Sequence, residues 1–229
     1  MTDLMNDHVL VIGAGPGLGA SIAREAAARG ARVTVIARTA STVDPLVTEL
    51  SAAGADVEAR CADAAHEPVF RVVLEQVVAD RGAPSLCVYN AVDPTPLGKP
   101  TELSPELLTV GLETNVTGAL VAVQSLLGAI RERDGGGTII LTGGVLATKP
   151  FAGMAALSIG KAAIRTLALC LHQELGADDP VNIVTVTIGG TIRAGGAFDP
   201  TRIAARFLEV HTTRERGEKG EISYRGDRG

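Results

Sequence analysis

The stretch His8-Val9-Leu10-Val11-Ile12-Gly13-Ala14-Gly15-Pro16-Gly17-Leu18-Gly19-Ala20 decides how the rest of the chain is read. Residues 8–12 are a continuous, mostly β-branched apolar run, the pattern of a strand buried on both faces. The next seven residues hold four glycines. An Ala-rich helix then runs to about Arg29 and is stopped by Gly30, at the position past a helix end where glycine is favoured. A glycine turn between strand and helix lets backbone approach a phosphate closely, and the helix start offers free N–H groups and a positive dipole end. The turn reads as G-x-x-x-G-x-G through Gly13, Gly17 and Gly19, and as G-x-G-x-x-A through Gly15, Gly17 and Ala20. Either spacing alone also suits a plain tight turn. In this setting it points to a dinucleotide pyrophosphate held by Gly13, Gly15, Gly17, Leu18 and Gly19.

Strand and helix signals keep alternating away from this turn. Strands are expected at 31–37, 56–60, 85–89, 138–141, Val181–Ile188 and Glu221–Tyr224. Asp44-Pro45 reads as the cap and first residue of a short helix ending at Gly54, and 68–81 as an amphipathic helix closed by Gly82. Ser104-Pro105 opens another helix, and further helices are expected at 113–133, Ala155–Leu175 and 201–211. The alternation predicts one α/β domain over residues 1–229, a doubly wound parallel sheet with helices on both faces.

Composition narrows the function classes. A hydrophobic share of 46% is ample for a buried core and argues against disorder. The net charge of −5 offers no broad basic surface for nucleic acid or an anionic membrane. The basic run Arg214, Arg216, Lys219, Arg225 and Arg228 is interleaved with acids and reads as a solvated tail. Three cysteines, Cys61, Cys87 and Cys170, exclude a paired disulfide framework, and Cys87 and Cys170 read as small buried hydrophobes. The four histidines show no ligand-like spacing, so no metal is expected. The apolar stretch 118–130 is too short to span a bilayer, and Met1 to Asp7 lacks a basic leader, so a cytoplasmic location is the default.

The second strand ends Ile36-Ala37-Arg38-Thr39. An NAD site places an acid there, about 20 residues past the turn, to hold the ribose. No carboxylate stands there, whereas Arg38 can pair with a 2′-phosphate. This chemistry favours NADP(H) over NAD(H), the alternative being a solvated surface arginine.

From about His8 to Thr191 the chain resembles the short-chain dehydrogenase/reductase family. The matches are the glycine turn, Asp63 after the third strand, Asn90-Ala91 after the fourth, Asn115 in the long helix and Lys161 in Gly160-Lys161-Ala162-Ala163. The resemblance implies a Rossmann-like fold and a cofactor site that also draws on Asp63, Asn90, Ala91, Lys161, Gly189 and Thr191. It implies a catalytic network through Asn115 and Lys161. The family's Tyr, four residues before the Lys, is replaced by Leu157, and the longer enoyl-reductase spacing falls on Met154. The family's Ser falls on Gly144. Leucine carries no transferable proton and glycine no hydroxyl. Ser158 and Thr142 stand beside the vacated positions as substitute hydroxyls, and Lys161 could donate a proton directly if desolvated, or could serve the nicotinamide ribose alone.

Three readings compete: an NADP(H)-dependent oxidoreductase with a degenerate tetrad, acting on a small carbonyl, alcohol or activated alkene; a non-catalytic NADP(H)-binding sensor or partner subunit; and a Rossmann-like enzyme for another nucleotide, such as a methyltransferase. The helices at 113–133 and Ala155–Leu175 are apolar over more than one face, which with the resemblance implies a homodimer or homotetramer.

Overall fold

The computed structural model describes residues 3–93 and 98–226. Seven strands form one sheet: β1 (His8–Ile12), β2 (Arg32–Ala37), β3 (Val57–Cys61), β4 (Leu86–Tyr89), β5 (Gly137–Gly144), β6 (Val181–Ile188) and β7 (Glu221–Tyr224). Their order is β3-β2-β1-β4-β5-β6-β7, and every neighbouring pair is parallel. The winding reverses between β1 and β4, which leaves a crevice beyond the carboxyl ends of these strands.

The helices are α1 (Leu18–Ala28), α2 (Ala40–Ala52), α3 (Glu67–Arg81), α4 (Pro105–Leu112), α5 (Gly118–Glu132), α6 (Ala155–Leu175) and α7 (Pro200–Thr212). Side chains alternate across the sheet. Val9 and Val11 join one core with Ile22 of α1, Leu46 of α2 and Phe207 of α7. Leu10 and Ile12 join the opposite core with Leu74 of α3, Leu126 of α5 and Ile164 of α6. Both faces are thus covered, as the unbroken apolar strands require.

Several local expectations are corrected. Helix α2 begins at Ala40 after Thr39, so Asp44 is no cap and Pro45 lies inside the helix. Pro45 has no N–H for the Ser41 carbonyl, a break that costs about 3 kcal/mol inside a helix, and both residues are exposed, so water can reach that carbonyl. Strand β5 runs on to Gly144 because Thr142, Gly143 and Gly144 pair with Val186, Thr187 and Ile188 of β6. The expected helix at 113–133 opens with a π-helical turn, Glu113–Thr117, which joins α4 to α5. With that join the helical run Pro105–Glu132 reaches 28 residues, and it and α6 are long and apolar enough to cross a membrane by length and composition. Here Leu126, Ile130, Ile164 and Ala168 of these helices pack into the core against the sheet.

The basic run after α7 is solvated at Lys219 and Arg225, which are exposed, but Arg214 and Arg216 are engaged. Arg214 donates to the carbonyls of Gly135, at 2.7 Å, and Pro180, and Arg216 donates to Gly176, so both arginines bind turns at the amino ends of β5 and β6. Arg228 lies outside the described residues. Cys87 is buried in β4, where desolvation pushes its thiol up to about 12, but Cys170 is exposed on the outer side of α6, as is Cys61 at the end of β3. Residues 94–97 also lie outside the described residues.

Candidate functional site

A cavity of about 1200 Å³ opens over the carboxyl ends of the central strands. It exceeds the usual 300–1,000 Å³ of a single small-ligand pocket. Every residue expected to hold the cofactor borders it except Gly189, whose place is taken by Gly190. The Gly189 N–H is instead bonded to the Tyr224 carbonyl at 2.9 Å, tying the loop to β7.

The glycine turn divides into two kinds of glycine. Gly13 has φ +87°, which a side chain rarely adopts. A Cβ there would lie 2.7 Å from the Asn90 carbonyl carbon and nearer still to the Ala91 amide. Asn90 Nδ2 donates to the Gly13 carbonyl at 3.0 Å and fixes the turn against β4. A Cβ on Gly19 would come within 2.8 Å of Ala14 Cα. Gly15 and Gly17, in contrast, face open space. Helix α1 starts here with no side-chain cap and no acid in its first turn, so its free N–H groups and dipole are available to an anion.

Next to this turn the cavity is bordered by Arg38, Thr39, Thr42 and Asp63. Arg38 is exposed and makes no ion pair among the described residues, while Arg24 on α1 is held by Glu49 at 2.7 Å. Thr39 caps nothing with its side chain; its hydroxyl meets those of Ser41 and Thr42 at 3.1 and 2.9 Å. Asp63 Oδ1 accepts the Ala65 N–H at 3.0 Å, which orders the loop leaving β3.

At the opposite end Lys161 of α6 reaches the end of β5, where its Nζ donates to the Thr142 carbonyl at 2.8 Å. Burial pulls the Lys161 ammonium down to about 8. A Cβ on Gly144 would lie 3.7 Å from Lys161 Cδ, so the space in front of this lysine is empty of side chain on the strand side. Leu157, one helical turn before Lys161, borders the cavity on the other side. Among the residues bordering the cavity, only Arg38, Asp63 and Lys161 are ionisable.

The substitute hydroxyls are placed differently from the expectation. Ser158 does not border the cavity; its hydroxyl donates to the Met154 carbonyl at 2.9 Å and accepts the Phe151 N–H at 3.2 Å, stitching the start of α6 to the preceding turn. Thr142 borders the cavity, but its Oγ1 is fully buried without a hydrogen-bond partner among the described residues, so the hydroxyl does not face a ligand. Asn115 lies behind the cavity wall in the π-helical turn, where its Oδ1 accepts the Asp93 N–H at 3.0 Å. Neither tyrosine borders the cavity: Tyr89 is buried in β4 and donates to the Thr114 carbonyl, and Tyr224 stacks edge-on against Phe198.

The family model for short chain dehydrogenases matches residues 7–194. The chain belongs to the short-chain dehydrogenase family. An uncharacterized oxidoreductase of Mycobacterium tuberculosis is 30% identical over 196 residues, 82% of this chain and 75% of that protein. A short chain dehydrogenase from Burkholderia cenocepacia, solved in complex with NADP, is 26% identical with a TM-score of 0.86 and is covered to 98%, as is this chain. A short chain oxidoreductase from Pseudomonas aeruginosa, solved with NADPH and described as containing an atypical catalytic center, shares the fold with a TM-score of 0.88 over 100% of this chain at 19% identity. Among the polar or glycine residues that border the cavity of this short-chain dehydrogenase next to expected ones, sequence reasoning did not single out Thr39, Thr42 and Gly190. The hydroxyl residues following Arg38 were a usable signal for the first two; the Ile188-Gly189-Gly190 run does not say which glycine faces the cavity.

Proposed function

We propose that this chain binds NADP(H) in preference to NAD(H) and is an oxidoreductase acting on a small carbonyl, alcohol or activated alkene. The observation that carries the cofactor reading is Arg38, exposed, unpaired and bordering the same cavity end as the open glycines. The turn fits the group: Gly15 and Gly17 leave open the space where a diphosphate would approach, and the uncapped start of α1 supplies its donors. Arg38, with the Thr39 and Thr42 hydroxyls, would take the 2′-phosphate, and Asp63 stands where the adenine would lie. When bound, the nicotinamide supplies or accepts a hydride.

The proton is the chain's task. Lys161 is the one ionisable side chain bordering the far end of the cavity among the described residues. With its ammonium near 8 it is largely protonated at neutral pH and can release that proton without a large barrier. Reduction of a carbonyl carbon would leave an oxyanion that takes a proton from Lys161, and solvent returns one to the amine. The empty space at Gly144 lets a substrate oxygen approach Nζ directly.

A second reading rests on the same end of the site. Leu157 and Gly144 flank Lys161 with no hydroxyl, which suits a protein that binds NADP(H) and signals its redox state without turnover. Titration with NADPH and NADH, following nicotinamide fluorescence, tests the cofactor reading; the absence of Trp keeps the background low. Tight NADPH binding weakened by Arg38→Ala supports it, and binding of neither cofactor refutes it. Hydride transfer abolished by Lys161→Ala with cofactor affinity intact decides for the enzyme; no turnover across a broad carbonyl and alkene panel decides for the sensor. Exposed apolar residues Leu107 and Val110 of α4 and Ile159 of α6 further favour a homodimer or homotetramer, which light scattering checks.

A further inference from the structure

The half of the cavity beyond Lys161 is walled by Val145, Leu146, Met154, Leu157, Ile188 and Ile192. No acidic side chain borders that half among the described residues. Such a wall desolvates hydrocarbon; Thr114 and Thr191, which also border the cavity, are uncharged. Its mouth is apolar as well: Val92 and Ile192 border the cavity and are each 39% exposed.

The charges around this mouth run against the average of the chain, whose net charge is −5. Lys149 follows the turn that carries Val145 and Leu146, its N–H bonded to the Val145 carbonyl at 2.8 Å. Arg193 follows Ile192 directly, and Arg225 closes β7 with its Cα 3.8 Å from where a Gly189 Cβ would stand. All three are exposed, and none makes an ion pair among the described residues. Most arginines elsewhere are engaged, as Arg131 is by Asp179 and Arg206 by Glu215. The acids on the same segments are turned to other work. Asp199 accepts the Gly195 and Thr201 N–H groups at 2.6 and 2.8 Å, and Glu102 lies 3.9 Å from Lys99. The loop after β6 is itself held in place, because Phe198 packs under Gly190, where a Cβ would lie 2.6 Å from the ring's Cδ2 and nearer still to its Cε2. Arg193, next to the cavity-bordering Ile192, therefore sits on a folded loop.

We propose that the substrate is an anionic amphiphile, a hydrocarbon body that fills the apolar half of the cavity and a carboxylate or phosphate that meets Lys149 and Arg193 at the rim. This rests on the reading of the site as an NADP(H)-dependent oxidoreductase and names the class of molecule it takes. The apolar body brings the reacting carbon toward Lys161 while the anion stays in water at the mouth, where exposed cations attract it without the large desolvation cost of a buried pair.

The test is calorimetric titration of the NADP⁺-saturated protein at low salt with decanoate, decyl phosphate and decanol. Both the wild type and Lys149→Ala/Arg193→Ala are measured. The wild type is expected to bind one or both anions about tenfold more tightly than decanol, as two partly exposed ion pairs supply. The double variant is expected to lose that preference while its affinities for decanol and NADP⁺ stay unchanged. The stronger of the two anions identifies the headgroup chemistry. Equal binding of decanol and the anions, an unchanged preference in the variant, or no binding of any probe would overturn the proposal. If NADP⁺ itself fails to bind, the cofactor reading falls separately, and the same titration on the cofactor-free chain still decides the substrate class.

Discussion

Replacing Gly13 and Gly15 separately by alanine distinguishes a turn that merely folds from a turn that holds a ligand. At Gly13 the new side chain would have to adopt φ +87° and push into the backbone of Asn90 and Ala91. The left-handed conformation costs about 1–2 kcal/mol, and overpacking against backbone adds about 1–3 kcal/mol. A protein of this size loses roughly 2–4 °C per kcal/mol, so Gly13→Ala is expected to lower Tm by roughly 4–20 °C. At Gly15 the added methyl meets nothing within 4 Å. Stability of Gly15→Ala should stay within about 0.5 kcal/mol of wild type. The methyl would, however, occupy the space assigned to the diphosphate, and a clash of about 1–3 kcal/mol lowers NADPH affinity by about fivefold to a hundredfold. Thermal melts without cofactor, followed by circular dichroism, and NADPH titrations of both variants supply the data. A Gly15→Ala protein that melts as low as Gly13→Ala would show that both glycines are only structural. One that is stable and binds NADPH as wild type does would show that the open space is not the phosphate seat.

Three further outcomes are expected. Lys161 has a folded pKa of about 8 against 10.5 in an ordinary setting, so the folded chain carries a penalty below pH 8 that is relieved as pH rises to 10.5. Lys161→Met should therefore be more stable than wild type by about 1–3 kcal/mol at pH 7, with the gap closing between pH 8 and 10.5 in urea melts. Leu157→Tyr/Gly144→Ser should restore a phenol and a hydroxyl beside Lys161 and raise NADPH oxidation with simple ketones by about 10²–10⁴-fold, and no gain from a folded double variant would place the nicotinamide elsewhere. Ser158→Ala should cost about 0.5–1.5 kcal/mol in thermal melts and leave NADPH affinity and any turnover unchanged, since its hydroxyl serves Met154 and Phe151.

The parts legible in the sequence are those where local chemistry has one answer. The valines and isoleucines of β1 and β6 could only be doubly covered strands, and four glycines after β1 could only be a close backbone turn. The start of α2 was not legible because Asp44-Pro45 mimics a helix opening, whereas the residue that precedes the helix, Thr39, bonds only to neighbouring hydroxyls. The tail was misread because the binding partners of Arg214 and Arg216 are carbonyls on distant turns, which leave no trace in charge patterning. Ser158 and Thr142 show the same limit at the site: a hydroxyl near the right sequence position can be spent on backbone or sealed in the core, and only the fold tells which. Lys161, by contrast, is legible only through the resemblance of its Gly160-Lys161-Ala162-Ala163 segment to the family, and it borders the cavity.

The π-helical turn at Glu113–Thr117 has a consequence for chain length. A helix advances about 100° per residue, and a π turn carries one residue more than the α-helical hydrogen bonding around it needs. The widened turn takes up that surplus residue locally, so α5 keeps the facing that a regular helix one residue shorter would give it. Deleting one residue of the turn would let α4 and α5 fuse with Leu126 and Ile130 still in the core, but the backbone that holds the Asn115 amide against Asp93 would be redrawn. A deletion within α5 itself has no such slack and would rotate everything beyond it by about 100°. The turn is thus the one place in this helical run where a change of length spares the core helix and reshapes the cavity wall instead.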